Sequence, residues 1–140
     1  MSRFLLDTNV LAEAARGGPD SPVARWLREQ PALDLAISVL TLGEIHKGVA
    51  LLPQGARRTA LERWLATDLP RQFLGRVLPI DEAVASAWGR LAAAGRQQGR
   101  ELPVIDGLLL ATVAVHGLTL VMRDEADCAD RGVPVLNPWR

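Results

Sequence analysis

The chain has 140 residues, with sixteen Lys and Arg against sixteen Asp and Glu, so its formal net charge is zero. That length makes one domain, residues 1–140, large enough for a proper core. The charge balance excludes a general cationic coat for nucleic acid but leaves room for a local basic rim around an acidic site. One cysteine, Cys128, and two histidines exclude an internal disulfide and a Cys/His zinc cluster and fit a reducing cytoplasm.

The first ten residues organise the rest. Phe4-Leu5-Leu6 reads as a short strand buried on both faces of a parallel sheet. Asp7 follows at once, where open α/β sheets bind their ligands, and it interrupts the apolar start too soon for a signal peptide. Thr8 and Asn9 can cap the next helix or steady the carboxylate. Val10 to Arg16 reads as that helix, ended by Gly17-Gly18-Pro19. Asp20 or Ser21 caps a second helix with Pro22 at its first position and an apolar stripe of Val23, Trp26 and Leu27; Pro31 stops it.

Leu35 to Ser38 is a second buried strand. Ser38 or Thr41 then caps a helix to about Leu52, with Leu42, Ile45, Val49 and Leu52 as its stripe. Glu44 lies off that stripe, in about the first turn, and so stays near the carboxyl end of the preceding strand. His46 and Lys47 read as surface residues. After Pro53-Gln54-Gly55, Arg57 to Asp68 is a helix with Leu61, Trp64 and Leu65 inward and Arg58, Glu62 and Arg63 outward. Arg71 to Gly75 is ambiguous. Val77 to Ile80 looks like a strand with an edge-type proline. Asp81 caps a helix through about Gln98, carried by Val84, Trp88, Leu91 and Ala92.

Pro103 opens the most apolar helix, which runs to about His116. Asp106 shares a face there with Leu109, Leu110, Val113 and Gly117. An unpaired carboxylate on a buried stripe is unusual. Gly107 would admit another backbone or a ligand. Gly107 to Met122 carries no charge, yet is shorter than the roughly 18 consecutive apolar residues of a membrane span. Leu118 to Met122 is a strand followed by Asp124 and Asp127, a repeat of the opening pattern. Val133 to Leu136 is the last strand. Fifteen of the sixteen bases are arginine, with Lys47 the exception; this excess is read as genome composition.

Alternating strands and helices indicate a three-layer α/β/α domain with a central, mostly parallel sheet. Asp7, Glu44, Asp106 and Asp124 would then converge at one sheet edge. Two unit charges about 4 Å apart repel by roughly 4 kcal/mol at an effective dielectric near 20. Several carboxylates together therefore call for a cation, and oxygen-only ligands point to Mg2+ or Mn2+. Such an ion suits phosphodiester hydrolysis.

The segments Leu5-Leu6-Asp7-Thr8-Asn9-Val10, Ser38 to Glu44, Ile105 to Thr112 and Val121-Met122-Arg123-Asp124 resemble the PIN-domain ribonucleases, more narrowly toxins of the VapC and FitB kind. The resemblance extends to Val135-Leu136-Asn137-Pro138-Trp139. It implies a PIN-like fold, Mg2+- or Mn2+-dependent cleavage of RNA, a homodimer, and a cognate small DNA-binding antitoxin whose tail blocks the site. By motif, Asp7, Glu44 and Asp106 would be metal ligands and Asp124 the fourth acid, with Asp127 its rival, since the family's aromatic after that position is here Cys128. Thr8 or Asn9 would steady Asp7, and Thr41 would support the ligands or cap the helix.

Three rivals share part of the pattern. A haloacid-dehalogenase-type phosphatase needs an acid where Asn9 stands. A phospho-accepting receiver module needs a lysine near the last strand, far from Lys47. A degenerate PIN domain that binds RNA or a partner without cutting is disfavoured because all the acids are present, while a PIN nuclease with a housekeeping role in RNA processing would keep the same acids.

Overall fold

The structure is a computed structural model and describes residues 2–16, 18 and 20–140. Gly17 and Pro19, from the breaker after the first helix, and Met1 lie outside the described residues. The elements are β1 (Phe4–Leu6), α1 (Thr8–Arg16), α2 (Pro22–Glu29), β2 (Leu35–Ser38), α3 (Val39–Ala50), α4 (Ala56–Arg63), α5 (Leu69–Gln72), β3 (Val77–Leu78), α6 (Glu82–Gln97), α7 (Val104–His116), β4 (Thr119–Val121) and β5 (Val135–Leu136). The strands form one five-stranded sheet in the order β3-β2-β1-β4-β5. Every neighbouring pair in it is parallel.

Alternation along the short strands divides the core into two layers. Leu6, Ile37 and Val121 face one side, where they pack with Val10 and Leu11 of α1, Val23 of α2, and Leu69 and Phe73. Leu5, Ala36 and Leu120 face the other, against Leu109, Leu110 and Val113 of α7. A one-residue slip of register would exchange the two sets. Helices cover both faces, which gives the expected α/β/α sandwich. Among the described residues no helix is long and apolar enough to cross a membrane.

Capping follows the sequence closely. The Ser21 side chain accepts from Ala24 N at 3.0 Å, and Asp81 Oδ1 accepts from Val84 N at 3.0 Å. At α3 the cap is Ser38, whose Oγ accepts from Leu40 N at 3.0 Å. Thr41 is therefore not the cap; it is fully buried, and its hydroxyl has no hydrogen-bond partner among the described residues.

The helix expected over Arg57 to Asp68 runs further. It begins at Ala56, passes through a π-helical turn, Trp64–Asp68, and continues as α5 to Gln72. Pro70 explains the wide turn. Its ring would collide with the carbonyl four residues back in a regular helix, and the i→i+5 pattern, seen in Leu69 N–H to Trp64 O, relieves this. Buried Leu69 and Phe73 fasten the extension to the core. β3 is an edge strand, as Pro79 suggested, though only Val77–Leu78 pair.

Candidate active site

Parallel topology brings the acids to one edge. α1 and α3 leave the carboxyl ends of β1 and β2, so their first turns lie there. Asp106 arrives by another route. α7 follows α6, not a strand, and it precedes β4. Gly117 closes α7 in the left-handed conformation at φ 66°, and the chain turns straight into β4. α7 therefore runs antiparallel to the strands, and its first turn comes back to their carboxyl edge.

Asp7 is the most constrained of the acids. Its N–H donates to Val121 O at 2.9 Å, and its carbonyl accepts from Val10 N at 3.0 Å, so the residue ends a strand ladder and starts a helix at once. Burial pushes its carboxyl up to about 6; the Thr8 N–H bonded to it opposes this, and the charges of Glu44, Asp106 and Asp124 push it higher. Asp106 is half-buried and also raised, first by burial, then by the charges of Asp127 and Glu44 and more weakly by Asp124; the Arg131 guanidinium works the other way. Five carboxylates thus share one field, and Asp127 belongs to it.

Glu44 is exposed and sits in the second turn of α3, not the first. Thr8 Oγ1 donates to its Oε1 at 2.7 Å. Thr8 therefore serves both neighbours, its N–H on Asp7 and its hydroxyl on Glu44, while Asn9 is exposed. Asp124 precedes the short turn after β4 and Asp127 ends it, and both are exposed. Gly107 admits a side chain rather than a backbone or ligand: a Cβ there would meet the Trp88 ring at 2.9 Å.

The donors are all carboxylate oxygens, and the charges of the others raise the proton affinity of Asp7 and Asp106, a set that fits a hard divalent cation. Among the described residues no three such side chains stand ready to hold one ion as placed. The fit lies in the chemistry of the donors, with Glu44 engaged by Thr8.

Comparison with known proteins agrees with this architecture. The PIN domain family profile matches residues 4–130. The chain belongs to the PIN-domain family. Within it, this PIN domain is 36% identical over 136 residues to Toxin FitB of Neisseria gonorrhoeae, covering 97% of this chain and 98% of that one. It is 33% identical over 136 residues to VapC ribonuclease Y4jK of Sinorhizobium fredii, covering 97% of each. A solved structure of FitAB bound to a DNA fragment superposes at a TM-score of 0.92 with 34% identity, over 98% of this PIN domain and 96% of that chain.

The sequence carried no sign of two further residues. Arg100 donates to main-chain carbonyls of the loop that bears Asp124 and Asp127, and Arg131, on that loop, donates to Asp127 O and back to Arg100 O. Nothing in their local sequence separates them from surface arginines.

Proposed function

We propose that this PIN domain is a Mg2+- or Mn2+-dependent endoribonuclease, the toxin of a toxin–antitoxin pair, which inhibits translation by cleaving RNA in the cytoplasm. The observation that carries this is the shared field of Asp7, Glu44, Asp106 and Asp124 at one sheet edge. The names of relatives about one-third identical over nearly the whole chain, a toxin and a ribonuclease, support it.

Asp7, Glu44, Asp106 and Asp124 would hold the ion, with Asp127 beside them. When bound, the ion would supply Lewis-acid polarisation of a phosphoryl oxygen and of the attacking water. The rest falls to the chain itself. Thr8 keeps the Asp7 and Glu44 carboxylates oriented. The partly buried setting of Asp7 and Asp106 strengthens their attraction for a cation. Burial also keeps part of the Asp7 population protonated near pH 6, so cation binding displaces a proton there.

A carboxylate cluster invites a basic inhibitor. The partner in this reading is a small DNA-binding antitoxin that places an arginine or lysine at the acids and an apolar segment along nearby helices. A groove of about 400 Å³ lined by Leu6, Leu11, Ala24, Leu27 and Phe73, beside the helix that leaves Asp7, suits such a segment. The homodimer belongs to the same proposal, and light scattering of the purified chain checks it.

The deciding experiment pairs cleavage with growth. Purified protein should cut RNA with Mg2+ or Mn2+ and stop on chelation, with no need for zinc. Expressed alone it should arrest growth and lower translation; co-expressed with its cognate antitoxin it should be tolerated. Cleavage without any growth defect would favour a housekeeping RNA-processing role, and cleavage that survives exhaustive chelation would overturn the metal mechanism.

A further inference from the structure

The loop between β4 and β5 carries two of the five acids but only a single short turn of regular structure, Glu125–Asp127. Two arginines tie it to the connection between α6 and α7. Arg100 reaches across, donating from one guanidinium nitrogen to Ala129 O at 2.7 Å and from the other to Ala126 O. Arg131 reaches back, donating to Asp127 O on its own loop and to Arg100 O at 3.2 Å and Glu101 O at 3.4 Å on the other. Each fork thus takes carbonyls of the segment that carries the other arginine. The planar, five-donor guanidinium suits this, and a lysine would not reproduce it.

The surroundings are shaped to the clasp. At Gly95 of α6 a Cβ would stand 2.7 Å from Arg100 O and 2.8 Å from the Arg131 guanidinium, so any larger residue would push the clasp apart. Cys128, fully buried in the α7-side core, anchors the loop from below. The clasped turn lies within electrostatic reach of Asp106, which feels both the Asp127 charge and the opposing Arg131 charge.

We propose that Arg100 and Arg131 are positioning residues for the acidic site: they hold the Asp124–Asp127 turn on the Asp106 side of the site, so that its carboxylates can join Asp106 around one cation. Neither arginine touches substrate. They act through the main chain of the loop, and the site's affinity for its ion depends on them although neither supplies a ligand. The inference rests on the metal-dependent reading above.

The test measures binding of Mn2+ alone to the full chain, by calorimetry or by the electron paramagnetic resonance of free Mn2+, alongside RNA cleavage. Arg131→Ala and Arg100→Ala should each weaken Mn2+ binding by about tenfold. They should raise the Mn2+ needed for half-maximal cleavage and lower kcat while leaving KM for RNA unchanged. Arg131→Lys should recover part of the loss, and it carries the test if the alanine variant does not fold. Arg76→Ala is the control for destabilisation alone. It removes a guanidinium bond of the same kind, Arg76 Nε to Leu35 O at 2.8 Å, at the amino end of β2. Arg76→Ala should melt lower yet bind Mn2+ like the parent. Parental Mn2+ affinity in both clasp variants, or an equal loss in Arg76→Ala, overturns the proposal. A parent that binds Mn2+ but cuts no RNA defeats the ribonuclease reading instead, and the binding measurements still decide the clasp.

Discussion

β1 and β4 lie side by side with Leu6 opposite Val121, and each is soon followed by an acid. The two acids are held in different ways. Asp7 is part of the secondary structure, bonded through its N–H to β4 and through its carbonyl to α1. Asp124 is exposed, beyond the ladder, next to an Arg123 carbonyl that accepts from Asn137 Nδ2 at 3.0 Å. Main-chain bonding fixes one acid; long side chains reaching from elsewhere fix the other. A strand followed by a carboxylate therefore does not describe one kind of site residue. Burial and main-chain bonding separate a rigid acid from an adjustable one on an exposed turn.

The largest expected difference lies in activity. Asp7→Asn or Asp106→Asn should reduce RNA cleavage by a factor on the order of a hundred or more, without loss of fold. Asp124→Asn and Asp127→Asn should give smaller and graded losses. Asp124, which acts on both Asp7 and Asp106, should matter more than Asp127, which acts chiefly on Asp106. Equal losses at all four positions would erase the distinction, and a larger loss at Asp127 would reverse the order of the exposed pair.

The next expected difference lies in stability without metal. The Asp7 carboxyl is raised from 3.8 to about 6 on folding. Between those values the folded state holds more protons than the unfolded one, so stability falls as pH rises through that window and stays lower above it. Asp7→Asn should therefore melt above the parent at pH 7.5, by roughly 1–3 kcal/mol, and the gain should vanish near pH 4. Asp124→Asn, at an exposed position, should change stability little. Thermal melts at the two pH values in chelator check both, and an Asp7→Asn protein that melts below the parent at pH 7.5 would make Asp7 a structural residue.

The smallest effect concerns the underside of the adjustable loop. Burial pushes the Cys128 thiol up to about 12, with Asp106 adding to it. Iodoacetamide should leave Cys128 unmodified in the native protein and label it only on unfolding. Rapid labelling under native conditions would mean that the loop opens often.

Much of this arrangement was legible in the residues. The apolar triplets, the caps at Ser21 and Asp81 and the acid after Leu6 each follow from local rules, and together they give the parallel sheet. Asp106 stands out for its position on a buried stripe, but nothing in its local sequence shows the route by which it reaches the sheet edge. It sits at the start of a helix that returns toward the sheet edge, not one that leaves a strand. The helix past Asp68 was hidden because Pro70 normally ends helices, and only the widened turn with buried Leu69 and Phe73 allows it to continue. The arginine clasp was invisible because guanidinium-to-carbonyl bonds across some thirty residues leave no local pattern.

The strand order has a consequence for synthesis. β1 lies at the centre of the sheet, and one of its two neighbours, β4, comes from the far end of the chain, with Phe4 opposite Thr119. Asp7 and Glu44 leave the ribosome early, but the strand that completes their edge and the turn that follows it leave last. Pairing over such a sequence distance is slow to form, and a nascent chain stopped before Leu118 has no assembled acid edge. On the ribonuclease reading, the ribosome making this protein has nearly finished with it before the acid edge can assemble.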